Sequence, residues 1–321
     1  MMRRSFLASI ASVLPLCSHS QIVYPKHNLT VIVPFAPGGT TDLLGRAIAS
    51  ALSASLGKPV MIENRPGGGT TLAAQHLTRS PADGHTLLLA STSTLVIHPL
   101  LNQNPGFDVE HDLAGVSMLA FAPMVLLVNA RSKYKSASEL VQAARLNPGK
   151  LNFASPGYGT SLHLAAELFM ASNKISCVHV PYRGSQQALL ALLADDVQFY
   201  FDLIPTAKSL IESDQLIALG VTHRQRLRVL PNVPTLAEQG WQDFDASARF
   251  SLVAPANTPE STIAILNQAV SRILADTTLK SRFSSMGLEI SSSSPKDVLK
   301  QFALDRAEWA PLIRDRVIRL D

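Results

Sequence analysis

The stretch from Val31 to Arg46, VIVPFAPGGTTDLLGR, constrains the fold of this chain more than any other. Val31, Ile32 and Val33 are contiguous and β-branched, as in a parallel strand buried on both faces, and Pro34 and Pro37 end that strand by withholding backbone donors. Gly38 and Gly39 let the chain turn tightly. From Leu43 the apolar residues recur as Leu43, Leu44, Ala47, Ile48, Ala51, Leu52 and Leu56, one face of a helix that starts near Thr40 to Asp42 and that Gly57 closes. A helix start preceded by small residues exposes free N–H groups at the positive end of a dipole and suits a carboxylate or phosphate; Thr40 and Thr41 add hydroxyls. The same residue types also serve as a plain cap and turn. The stretch is no Walker loop, since five residues separate Gly39 from Gly45 and Arg46 follows, and no dinucleotide fingerprint is present.

The first twenty residues carry Arg3 and Arg4, an apolar segment from Phe6 to Leu16, and a small-residue end at Ser18 to Ser20. They read as a secretory signal peptide cut after Ser20. A lipid anchor on Cys17 is the rival, but Pro15 and Leu16 stand where small residues are expected before a lipidated cysteine. Removal of the peptide leaves Cys177 as the sole cysteine, so the core must hold the mature chain together without an internal disulfide. The net charge of +4 falls to two once Arg3 and Arg4 leave, which argues against nucleic acid or an anionic membrane as partner. Thr86 to Leu101 is the most hydrophobic mature stretch, and its polar residues break it well short of a spanning helix.

About 300 mature residues suffice for two α/β lobes. Val60 to Ile62, Thr71 to Thr78 and Thr86 to Ala90 continue the first unit as β-α-β-α-β, the pattern of a doubly wound parallel sheet. Ligands of such sheets sit beyond the carboxyl ends of the strands, which puts the Pro37 to Thr41 turn and the Ser91 to Thr94 loop on one rim. Met124 to Val128 and Phe250 to Val253 read as crossovers flanking a self-contained insert. The expected organisation is therefore residues 21–121 with 247–321 as one lobe and 122–246 as the other.

Within the insert, NFASPGYGTSLHLAAELFM from Asn152 to Met170 repeats the strand, glycine turn and helix start. Two such starts, one per lobe, grip one anion from both sides. His163 and Glu167 are four apart on this helix; an i to i+4 polar pair is the commoner arrangement, and no third metal ligand is evident. HVPYRG follows a strand-like Ile175 to Val180 and puts Arg183 in a loop, where it either forks onto a carboxylate or stays solvated. Val197 to Phe201 reads as a strand ending at Asp202, which accepts a ligand donor or caps the helix near Pro205.

PFAPGGTTD, NRPGGG, ADGHTLLLAS, PGYGTSLHLAAELF, VPYRG, FYFD, LPNVPTLAEQG and APANTP, in this order and spacing, resemble the Bug-type extracytoplasmic solute receptors of tripartite tricarboxylate transporters. The resemblance runs from Tyr24-Pro25 to the terminal helix at Asp305 to Trp309. It implies a type II periplasmic-binding-protein fold, two α/β lobes joined by two crossover strands with the ligand cleft between them, without catalytic activity, cofactor or metal. It also implies a periplasmic monomer that binds a small carboxylate and partners integral membrane subunits of the transporter.

By similarity the ligand lies against Phe35, Pro37, Gly38, Gly39, Thr40, Thr41 and Asp42 at the first turn and Pro156, Gly157, Tyr158, Gly159, Thr160 and Ser161 at the second. Ser91 and Ser93 match the polar loop after the third strand, while Arg183 and Asp202 match positions facing the far end of the ligand. Arg249-Phe250-Ser251 departs from the tryptophan, variable residue and glycine usual there, which makes Arg249 either a second cationic ligand contact or a solvent-facing side chain. Gly39 and Gly159 are predicted to admit no bulky side chain, for want of ligand space or because of a positive φ. The rival functions are a receptor for a signalling system without its own transporter and a secreted hydrolase. The hydrolase lacks a G-x-S-x-G elbow, and Cys177 shows no sign of activation.

Overall fold

The computed structural model describes residues 24–315 apart from positions 103, 243 and 245, so the signal segment 1–20 lies outside the described residues. The Val31–Arg46 stretch forms β1 (Leu29–Val33), a turn and α1 (Thr40–Leu56), which ends at Gly57 in the left-handed region. β2 (Val60–Asn64), α2 (Thr71–Thr78) and β3 (Thr86–Ser91) follow, and β1 pairs in parallel with both β2 and β3. A π-helical segment, Ser93–Ile97, runs into α3 (His98–Leu101).

The long strand β4 (Leu113–Asn129) joins the two halves of the molecule. After it come α4 (Ala137–Leu146), β5 (Asn152–Ser155), α5 (Ser161–Asn173), β6 (Val178–Pro181), α6 (Ser185–Ala194), β7 (Phe199–Leu203), α7 (Ile204–Glu212) and β8 (Leu216–Val221). The chain returns through β9 (Ser247–Pro255) and closes with α8 (Glu260–Ala275), α9 (Thr277–Ser285), β10 (Glu289–Ile290) and α10 (Pro295–Asp315). Strand order is β2-β1-β3-β9-β4-β7-β5-β6, with β8 and β10 also pairing β4. From Leu113 to Pro123, β4 pairs with β9; from Met124 onward it pairs with β7 and β8. The switch falls at Pro123, a residue without the N–H that a central strand needs, and β9 begins opposite it at Ser247. The result is two α/β lobes joined through β4 and β9.

One contiguous apolar core runs through both lobes. Leu29, Ile32, Leu44 and Ile48 are fully buried in the first, and Phe153, Phe169, Phe199, Tyr200 and Phe201 in the second. Phe153 stacks on Phe199 at 5.5 Å and Phe169 meets Phe201 edge-on at 5.6 Å. Burial of each such ring contributes roughly 2–3 kcal/mol.

Two strands differ in their bounds from the sequence reading. β7 begins at Phe199 rather than Val197 because the Gln198 side chain accepts the Asn152 N–H at 2.8 Å, and pairing with β5 starts only beyond it. The strand also runs one residue past Asp202, to Leu203, so Asp202 sits inside it, opposite Val125. β6 begins at Val178 rather than Ile175, since α5 runs to Asn173 and Lys174 turns the chain at φ 51°. Cys177 therefore precedes the strand, partly buried, with its thiol pushed up to about 11 first by desolvation and then by Glu167. Among the described residues no helix is long and apolar enough to cross a membrane.

Candidate functional site

Asp42 shapes the first turn. Its carboxylate accepts from the Gly38 N–H at 3.0 Å, Arg46 Nε at 2.9 Å and Asn64 Nδ2 at 2.9 Å, and Asn64 also donates to the Phe35 carbonyl. With Asp42 so engaged, no side chain caps α1, whose N-cap is Gly39. The N–H groups of the first turn of α1 are left to whatever occupies the cleft.

The second turn is built differently. Thr160 Oγ1 donates to the Gly157 carbonyl at 2.8 Å and accepts from His163 N, and the Ser161 N–H donates at 2.9 Å to Ser93 Oγ across the cleft. The start of α5 is thus largely satisfied by protein groups. The start of α6, with Gly184 as N-cap, carries no side-chain cap, and neither does that of α7, whose N-cap Leu203 lies at the cleft, so the starts of α1, α6 and α7 are all uncapped there.

A cavity of about 30 Å³ lies where the lobes meet. Of the expected residues, Phe35, Gly39, Thr40, Thr41, Ser91, Ser93, Pro156, Thr160 and Ser161 line it; Ala36, Leu162, Ser185, Leu203, Ala248 and Phe250 complete the wall. No charged side chain is among them. Thr40 is 3 % exposed, and its Oγ1 has no hydrogen-bond partner among the described residues. An adjoining chamber of about 620 Å³ shares Phe35, Pro156 and Thr160 and takes in Gly157, Tyr158 and Arg183, together with Gly69, Thr70 and His98, which the sequence reading did not include.

The remaining expected residues stand apart from the inner cavity. Pro37 is not in its lining, and Gly38 makes the lobe contact instead, its carbonyl accepting from Gln186 Nε2 at 2.9 Å. Gly159 donates its N–H to His163 Nδ1 at 3.3 Å. Asp202 is fully buried behind Ser185, and burial pushes its carboxyl up to about 6 against hydrogen bonds from Thr206, the Leu203 backbone, Ser185 and Tyr200. Arg249 bonds Asp305 through Nε at 3.1 Å and lies 5.3 Å over the Phe121 ring, outside the lining of both chambers.

The glycines separate by geometry. Gly38 holds φ +87°, and a Cβ there would stand 3.1 Å from Gln186 Cγ; Gly39 has φ −77° and room for a Cβ. The positive φ in the first turn is therefore at Gly38, whereas Gly159 keeps the expected one at φ 68°. Gly38→Ala is expected to lower stability by about 1 kcal/mol and Gly39→Ala by a few tenths at most, as read by urea denaturation.

His163 is not arranged as a metal ligand. Its Nδ1 accepts the Gly159 N–H, so Nε2 carries the proton toward Glu167 Oε1 at 3.5 Å, and its ring stacks on His179 at 4.0 Å. His27, Asp83 and His85 gather elsewhere in the first lobe, but His85 Nε2 accepts the Lys26 N–H, which keeps the ring proton on Nδ1 beside Asp83.

Two doubly wound lobes, two connecting strands and a cleft rimmed by helix starts define a type II periplasmic binding protein. The chain belongs to the tripartite tricarboxylate transporter family receptors, whose profile matches residues 44–318. It is similar to the periplasmic binding protein BugD, at 26 % identity and TM-score 0.89 over 92 % of this chain and 99 % of that one. An R. palustris protein solved with adipate is 30 % identical, TM-score 0.90, over 92 % and 99 % of the two chains. MatC from Rhodopseudomonas palustris with bound malate is 30 % identical, TM-score 0.87, over 90 % and 100 %. The family and these neighbours are solute-binding proteins, and this chain is a receptor of that kind, not an enzyme.

Proposed function

We propose that the protein captures a small organic carboxylate between its lobes and delivers it, as a periplasmic monomer freed of residues 1–20, to the membrane subunits of a tripartite tricarboxylate transporter. The observation that carries this reading is Thr40, whose buried and unpartnered Oγ1 stands at the uncapped start of α1 in a cavity lined by hydroxyls. A carboxylate there accepts from N–H groups and hydroxyls at once and is favoured by the helix dipole. Arg183, at the outer chamber, is positioned to meet a distal acidic group of a longer ligand. The adipate and malate neighbours support an acid as ligand. Lobes bounded at 21–121 with 247–321 and at 122–246 would then open about β4 and β9 to admit it.

A thermal-shift screen of aliphatic and aromatic acids, amino acids, their amides and neutral sugars tests the proposal. At least one acid is expected to raise the melting temperature, because a ligand bound only by the native state stabilises it. A shift from a neutral sugar alone, with no acid active, would remove the carboxylate reading.

A further inference from the structure

Ser185 is the wall residue for which the sequence reading had no role, and its hydrogen-bonding polarity is fixed from behind. It opens α6, is 8 % exposed, and lines the inner cavity. Its Oγ donates to Asp202 Oδ1 at 3.0 Å. The Tyr200 hydroxyl lies 3.0 Å from both Asp202 Oδ1 and Ser185 Oγ, and Thr206 Oγ1 donates to Asp202 Oδ2 at 2.7 Å. Asp202 is fully buried and, with its carboxyl at about 6, ionised at neutral pH.

An ionised carboxylate only accepts, so Ser185 and Tyr200 spend their protons inside this network, while the Thr206 hydroxyl is shared between Asp202 Oδ2 and the Leu203 carbonyl at 2.9 Å. With the Tyr200 proton on Ser185 Oγ, the Ser185 proton goes to Asp202 Oδ1 and one Ser185 lone pair remains for the cavity. The uncapped start of α6 supplies N–H donors beside that lone pair. A group that both donates and accepts satisfies both. A carboxylate at the same place would leave the Ser185 lone pair opposed and would sit near the buried charge of Asp202, at a cost in affinity.

We propose that Ser185, oriented by Asp202, selects ligands that carry an uncharged donor-and-acceptor group, a hydroxyl or a carboxamide, in addition to the carboxylate held at α1. This inference rests on the carboxylate reading above and narrows it from acids in general to hydroxy acids and acid amides. Ser185 is the specificity-determining residue, and Asp202 a positioning residue that acts through it.

Calorimetric titration of three matched pairs tests the assignment: succinamate against succinate, lactate against propionate, and 4-hydroxybenzoate against benzoate. The wild-type protein is expected to prefer the donor-bearing member of every pair that binds, by about tenfold, the scale of one buried hydrogen bond. Ser185→Ala is expected to bring that ratio below about threefold by removing the acceptor. Asp202→Asn, checked for native fold by circular dichroism, is expected to move the preference toward succinate, because an amide donor behind Ser185 releases the serine proton toward the cavity. Equal or tighter binding of succinate by the wild type, or a ratio unchanged in Ser185→Ala, overturns the inference while leaving the carboxylate reading intact. Failure of all six acids to bind, together with a thermal shift from a neutral sugar alone, would remove both.

Discussion

Asp42→Ala is expected to lower the stability of the protein by about 3 kcal/mol, the largest effect of any substitution near the cleft that leaves the core untouched. The carboxylate receives a backbone N–H, an amide and a guanidinium, and it is 2 % exposed. The Arg46 contribution is small, since that side chain is 53 % exposed and screened by solvent. The cost comes from the Gly38 N–H and Asn64, which lose an ionised acceptor in a buried place. Asn64 also holds the Phe35 carbonyl, so the variant should loosen the β1–α1 turn and weaken acid binding together. Urea denaturation measures the first effect and calorimetry the second; a loss below about 1 kcal/mol would show that the turn is held by other contacts. Burial raises the Asp42 carboxyl, but the Arg46, Gly38 and Asn64 bonds outweigh it and the net shift is downward. A carboxylate depressed in the folded state stabilises above its unfolded value near 4, so this contribution is lost only in stronger acid.

Between pH 7 and pH 5 two other groups are expected to oppose each other. Asp202 is raised to about 6 by burial, so the folded protein takes up a proton in this window that the unfolded chain does not, and acidification stabilises it through Asp202 by about 1 kcal/mol. His179 is pressed down to about 3 by desolvation and by His163. Its ring is stacked on Phe153 at 4.8 Å and on His163 at 4.0 Å, with Tyr158 edge-on and Ser155 Oγ at 2.6 Å from Nε2. The unfolded chain protonates this histidine below its ordinary value near 6.5 while the folded one does not, so acidification destabilises by about 1 kcal/mol after allowance for partial exposure. His98, lowered by burial alone, adds to the same side. The wild-type melting temperature should therefore change little over this range. Asp202→Asn should become acid-sensitive and His179→Phe acid-stabilised. Parallel pH slopes in all three proteins would contradict the assignment.

Much of the fold was legible because it is encoded locally. α2 matches its predicted span from Thr71 to Thr78, and α1 opens at Thr40, because proline and glycine mark their ends. The two-lobed architecture followed from the ordered motifs and from the run at Met124 to Val128. Side-chain direction was not legible. Arg249 was open between a cleft cation and a solvent-facing side chain, and its partner Asp305 comes from α10, far along the chain. Asp202 was read as a ligand acceptor or a helix cap at the end of its strand, but the strand continues to Leu203 and holds Asp202 behind Ser185. Ser185 itself follows a glycine at a helix start, the same signal that exposed Thr40 and Ser161, and was overlooked beside Arg183.

Ser161 N to Ser93 Oγ, Ser93 Oγ to Ser161 Oγ, and Gln186 Nε2 to the Gly38 carbonyl all run from one lobe to the other, and every one of them joins protein to protein. Bonds of this kind need no bridging solute, so they favour the shut outline independently of any cargo. A membrane partner that read only that outline would waste encounters on vacant receptors. Under the proposed delivery, loaded and vacant forms would then differ in how long the lobes stay together, a property that a trapped solute lengthens and to which these three bonds contribute a constant share.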